Sequence, residues 1–242
     1  MTSRHSPLLA LIACVVLTAS GCFGGDDPEP STPTSAAAPA TARSAAPPDD
    51  QEEPPPAGTQ DAGWQAEAED AVSVVDGFWR AHWNDHFSGV YEAPTVVGAY
   101  IADDADAPDC AGEPAAAFNA FYCPPEDFIA WDVQLMSAGY EEGDAWIYLV
   151  IAHEWAHAVQ NRVEGLSVDA AELQADCLAG ATLFGADDLQ FEPGDTDELA
   201  QALTALADTT PWTSSQDHGD ADERVTAFSS GGSDGVPACL PA

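Results

Sequence analysis

From Trp64 onward the apolar residues of this chain fall into spaced patterns. Over residues 66–86, Ala71, Val75, Phe78, Trp79 and Trp83 recur at three- and four-residue steps, one stripe of a helix. Residues 94–101 read as a strand. Two shorter strands are expected at 120–123 and 128–131, on either side of the turn Pro124-Pro125-Glu126-Asp127. The strongest apolar run follows Gly143 and Asp144, with Asp144 as the expected N-cap. Its helix should continue to about Arg162 and stop near Gly165. Further helices are expected over 168–184, ending at Gly185, and near 195–207 and 220–229. Strands first and helices afterwards predict an α+β domain: a small N-terminal sheet, then a mostly helical C-terminal half.

The first 62 residues lack that spacing. Arg4 and His5 precede an apolar run from Leu8 to Thr18, about as long as the core of an export signal and too short to span a bilayer. The run ends in Leu17-Thr18-Ala19-Ser20-Gly21-Cys22, which resembles the lipobox of bacterial lipoproteins. That resemblance implies a signal peptide over residues 1–21 and a lipidated Cys22 that holds the protein to the cell membrane, outside the cytoplasm. Ordinary secretion with Cys22 free or disulfide-bonded is the alternative. Residues 22–62 are rich in Pro, Ala, Thr and acids, cannot bury enough surface to offset chain entropy, and read as a disordered tether. The folded domain is expected over residues 63–242. No later segment has 18 uninterrupted apolar residues, so a second membrane span is not expected.

Charge narrows the partners. The chain has five Arg, no Lys and 42 acidic residues. Residues 63–242 alone carry 34 acids against three Arg, so the acidity belongs to the domain. Such a surface repels phosphates, which excludes a nucleic-acid role. Export also places the cysteines in an oxidising compartment. Cys110, Cys123, Cys177 and Cys239 allow two disulfides in three pairings. Sequence proximity favours Cys110 with Cys123, leaving Cys177 for Cys239.

The chemistry concentrates in His153-Glu154-Trp155-Ala156-His157. On a helix, positions i and i+4 share a face, so both imidazoles can address one metal ion. Glu154 can then reach a water as general base. Burying these polar groups at the end of the apolar run 147–152 would be costly without a partner, and zinc is the partner expected. A catalytic zinc needs a third protein ligand. Gln160 and Val163 stand where the metzincin extension requires Gly and His, which excludes that option. A thermolysin-like arrangement takes a glutamate from the next helix, and Glu172 fits. Asp176, four residues on, would accept a hydrogen bond from the outer nitrogen of a ligand histidine, His153 being the first choice. His82 and His86 share the i, i+4 spacing but lack a third ligand and read as surface or packing residues.

Several blocks resemble the bacterial neutral zinc metallopeptidase family. They are residues 150–154 with His157, Val159 and Gln160, then Glu172-Leu173-Gln174-Ala175-Asp176-Cys177-Leu178-Ala179-Gly180. Asn119-Ala120-Phe121-Tyr122-Cys123-Pro124 and Asp217-His218-Gly219 through Arg224 are similar to two more. The likeness spans roughly residues 64–240. Ala156 and Ala158 depart from the usual Gly and His, and Asp220 and Glu223 stand where Ser or Thr and Gln are usual. The resemblance implies a zincin-like fold with zinc as cofactor and a peptide or protein as substrate.

The expectation is therefore a peptidase in which zinc, on His153, His157 and Glu172, activates water while Glu154 moves the proton. His218 is the candidate for stabilising the oxyanion. The strand Phe128–Asp132 is expected to be the sheet edge on which an extended peptide lies. The alternative is a lipid-anchored zinc-binding scaffold or binding protein without turnover.

Overall fold

A computed structural model describes residues 60–166, 171–209 and 218–241. The expected signal peptide, Cys22 and nearly all of the expected tether lie outside the described residues. The architecture is mixed: a long helix, two small sheets and five further helices among the described residues. That agrees with the α+β expectation.

Helix α1 (Gln60–His86) has its first residues inside the stretch expected to be tether. Its buried stripe runs Trp64, Ala68, Ala71, Val75, Phe78, Trp79 and Trp83. Strand β1 (Thr95–Tyr100) follows, then a two-residue pair, β2 (Asp109–Cys110) with β3 (Glu113–Pro114). The strands end with β4 (Ala120–Cys123) and β5 (Phe128–Asp132), antiparallel across the expected turn.

The main sheet has the order β1-β5-β4, with β1 parallel to β5 and a bulge at Val97. This corrects one expectation. β5 is the central strand, buried at every position, and has no free edge for a peptide. Its five consecutive residues Phe-Ile-Ala-Trp-Asp are what a strand covered on both faces requires. Among the described residues, the unpaired edge on the other side of the hairpin is β4.

Helix α2 (Val133–Tyr140) follows β5 without a loop, an element that the sequence pattern does not announce. Asp132 starts it, its carboxylate accepting from the backbone N–H of Gln134 and Leu135. Helix α3 (Ala145–Arg162) is the axis of the domain: from Ala145 to Val159 only Tyr148 and His157 are not buried. Asp144 occupies its N-cap position, but its side chain makes no capping bond. A helix apolar all round must be covered on all sides, and α1, α2, α4 (Ala171–Gly185) and α5 (Asp195–Ala205) pack against it. Helix α4 matches the helix expected at 168–184, whose first residues lie outside the described ones. Helix α6 (Ala221–Asp234) completes the half. In α6 the departure noted at Asp220 and Glu223 is a capping box: Asp220 accepts from the Glu223 N–H, and Glu223 accepts from the Asp220 N–H, both at 3.0 Å.

Both disulfides are present, Cys110–Cys123 and Cys177–Cys239. The second ties the short 3-10 turn Val236–Cys239 to α4. Helices α4 and α6 touch backbone to backbone through two glycines. A Cβ on Gly231 would lie 1.8 Å from the Cys177 carbonyl oxygen, and one on Gly180 would lie 2.1 Å from that of Phe228. Gly231→Ala should therefore force the two helices apart and cost about 1–3 kcal/mol, as overpacking does. A melting temperature equal to that of the wild type would show that the contact can widen freely.

Candidate metal and catalytic site

The site is assembled by α3, α4 and the segment entering α6. One turn of α3 separates His153 from His157, and their rings lie edge to face with centroids 4.8 Å apart. Their Nε2 atoms are 3.2 Å apart. Glu172, in the first turn of α4, brings its Oε2 to 3.1 Å from the Nε2 of His153 and 3.4 Å from that of His157. These residues thus form a near-equilateral triangle of ligand atoms and could hold one metal ion.

The outer faces of both rings determine which nitrogen points inward. His153 Nδ1 is 2.9 Å from Asp176 Oδ1, and an ionised carboxylate can only accept, so Nδ1 carries the hydrogen. His157 Nδ1 is 2.8 Å from Gln160 Oε1, which likewise accepts. Both Nε2 lone pairs are left facing each other and Glu172. Three electron-rich atoms at this separation repel one another unless a cation lies between them.

With no metal bound, a proton on His153 Nε2, facing Glu172, takes the cation's place. Burial disfavours a charged His153, yet its bonds to Asp176 and Glu172 outweigh burial and push its pKa up to about 10. Burial likewise works against ionised Glu172, but the two histidines hold its carboxyl far below the usual range. Asp176, fully buried, is also held low: burial is overcome by Arg224 first and His153 next.

Arg224 is the site residue for which sequence reasoning assigns no role. It is 3% exposed and reaches Asp176 with two parallel bonds, Nε to Oδ2 and Nη2 to Oδ1, both 2.8 Å. Its Nη1 donates to the Leu206 carbonyl at 2.8 Å. Arg224 is one of only three Arg after residue 62, but rarity does not single it out, since Arg80 and Arg162 pair with acids that are not buried.

A cleft of about 490 Å³ opens onto the triangle. Glu154 lines it, 8% exposed, together with His218, Asn161 and the edge-strand residues Ala120, Phe121 and Tyr122. His218 stands at the rim, half exposed, its Nε2 3.6 Å from Glu172 Oε2. A smaller pocket of about 180 Å³ adjoins, shares His153, Glu154 and His218, and has apolar walls from Phe118, Leu135, Leu149, Val150 and Leu206. The structure therefore brings His153, Glu154, His157, Glu172, Asp176 and His218 together. His82 and His86 lie on α1; His82 packs on Phe78 and bonds Asp85.

No helix among the described residues is long and apolar enough to cross a membrane. Comparison with family models, with curated proteins and with solved structures yields no match to this chain. The functional conclusion rests on the residues themselves.

Proposed function

We propose that the domain is a zinc-dependent peptidase of zincin-like fold, a member of the metallopeptidase family it resembles. The observation that carries the reading is the His153–His157–Glu172 triangle with edges of 3.1, 3.2 and 3.4 Å. Tetrahedral zinc with ligand bonds of about 2.05 Å requires ligand atoms about 3.3 Å apart. Two imidazoles and one carboxylate, with the fourth position toward an open cleft, is the donor set of catalytic zinc.

Bound there, zinc would supply Lewis acidity toward a water and a substrate carbonyl. The chain's own groups do the rest. Glu154, beside the triangle and in the cleft, takes the proton of the attacking water and passes it to the leaving amine. His218 donates from the rim to the oxyanion as it develops. The free edge of β4 offers backbone groups to an extended peptide, in place of the β5 edge expected from the sequence. The apolar side pocket beside Glu154 receives an apolar side chain of the substrate.

Location follows the sequence. Two disulfides suit an oxidising compartment, and the lipobox-like segment before Cys22 supports attachment to the outer face of the cell membrane. The rival reading, a zinc-binding scaffold without turnover, gives Glu154 no role in the cleft.

The ligand set is tested by metal content. The purified protein should hold about one zinc per chain, and Glu172→Ala should lose most of it. Unchanged zinc in that variant would remove Glu172 from the ligand set. An unbiased peptide library should show cleavage beside apolar residues; cleavage indifferent to side chain would reject the role of the side pocket.

A further inference from the structure

The outer nitrogen of His157 is held differently from that of His153. Its partner is the Gln160 amide rather than a carboxylate, and the two ends of an amide are chemically opposite and close in shape. Which end faces the ring decides which ring nitrogen carries the hydrogen, and so whether the Nε2 lone pair is available to a metal.

Gln160 is not free to choose. Its Nε2 lies 2.7 Å from the Ala171 carbonyl oxygen and 3.1 Å from Gln174 Oε1. Both amide hydrogens are used, and the oxygen is left for His157 at 2.8 Å. Gln174 is constrained in turn: its Nε2 donates to the Cys239 carbonyl at 2.9 Å, so its oxygen must face Gln160. Reversing either amide would set oxygen against oxygen and nitrogen against nitrogen. The series ends on two backbone carbonyls, which cannot be reversed. Cys239 is itself fixed to α4 by its bond to Cys177, three residues after Gln174.

We propose that Gln160 and Gln174 are positioning residues that carry the polarity of the Ala171 and Cys239 carbonyls to His157, locking its hydrogen on Nδ1 and its Nε2 toward the metal. The inference rests on the metal reading for its purpose, though not for its geometry. The Cys177–Cys239 disulfide thereby also holds the far end of this relay in register with Glu172.

The test uses the full domain and near-isosteric substitutions, Gln160→Met and Gln174→Met, singly and together. Zinc affinity is read by chelator competition. Gln160→Met should weaken it about 10- to 100-fold, the usual effect of losing such a partner. Gln174→Met should weaken it less, and the double variant should match Gln160→Met, because Gln174 acts through Gln160. Gln160→Glu keeps an acceptor for His157 Nδ1 but turns its second oxygen on the Ala171 carbonyl and Gln174 Oε1, so it should bind zinc more tightly than Gln160→Met and less tightly than the wild type. Effects of the two Met substitutions that multiply, or a Gln174→Met affinity equal to wild type, would overturn the relay.

A second readout needs no metal. Long-range proton–nitrogen NMR of the metal-free protein at alkaline pH should show His157 protonated on Nδ1 in the wild type. Gln160→Met should show a mixture. A wild type protonated on Nε2 would overturn the inference. Failure to bind zinc alongside the Nδ1 form would instead reject the metal reading and leave the relay supported.

Discussion

Glu154→Gln is expected to retain about one zinc per chain and to lower kcat by about 10²–10⁴-fold. Glu154 lies one residue from His153, on the helix that carries both histidines, and it is no corner of the ligand triangle. Replacing its carboxylate by an amide of the same shape therefore removes a proton acceptor without opening the site. The effect should fall on kcat more than on KM, because proton transfer occurs in the transition state. The measurement is a paired one, zinc content and peptide turnover on the same preparation. A variant that turns over at the wild-type rate would sink the role of Glu154. One that loses both metal and turnover would mean that Glu154 holds the metal in place.

The second large effect is expected on stability. Arg224→Met should destabilise the domain by about 3–5 kcal/mol, the cost of breaking a buried ion pair from one side. For a domain of this size that lowers the melting temperature by on the order of 10 °C. The reason is local: Asp176 is 0% exposed and would keep His153 as its remaining partner. Removing both charges in Arg224→Met/Asp176→Leu should recover part of the loss, since an orphaned buried carboxylate costs more than an absent one. The pH dependence has a definite sign. Asp176 is held below its ordinary value of 3.8, so its contribution is present above that value and fades as pH falls through the lower folded one. Without Arg224 the acid-unfolding midpoint should move to higher pH. An unchanged midpoint together with an unchanged melting temperature would show that water already reaches Asp176.

Metal affinity links the two results. An ionised Asp176 accepts more strongly from His153 Nδ1 than a neutral one, and Arg224 favours that ionisation. Arg224→Met should thus weaken zinc binding about tenfold, whereas Glu154→Gln should not.

What is legible in the sequence alone follows from local geometry. The i, i+4 repeat of a helix puts His153 and His157 on one face whatever surrounds them. The same rule puts Glu172 and Asp176 on one face of α4. The turn Pro124-Pro125-Glu126-Asp127 between two short apolar runs announces the β4–β5 hairpin, and spacing in the stripe of α1 marks its core face. Cysteine proximity points to both disulfides.

Tertiary structure alone decides the partners across long separations. Arg224 meets Asp176 across 48 positions, and Gln174 meets the Cys239 carbonyl across 65. No periodicity encodes such a pairing, because a buried charge or amide is satisfied by whatever group the packed helices bring within reach. Strand order is likewise open in the sequence. The apolar run of β5 is expected at an edge, but hydrogen bonding on both sides, to β1 and β4, makes it the centre. Helix α2 escapes a sequence reading because eight residues show too little of a helical period, and its start depends on an Asp132 cap that also ends β5. Spacing within one element is set by backbone dihedrals that each residue carries with it. Contact between elements is set by the shape and charge left exposed once those elements exist. At this site that second step joins Arg224 to the helix bearing Glu172 and seats His157, through two amides, on a backbone carbonyl near the end of the chain.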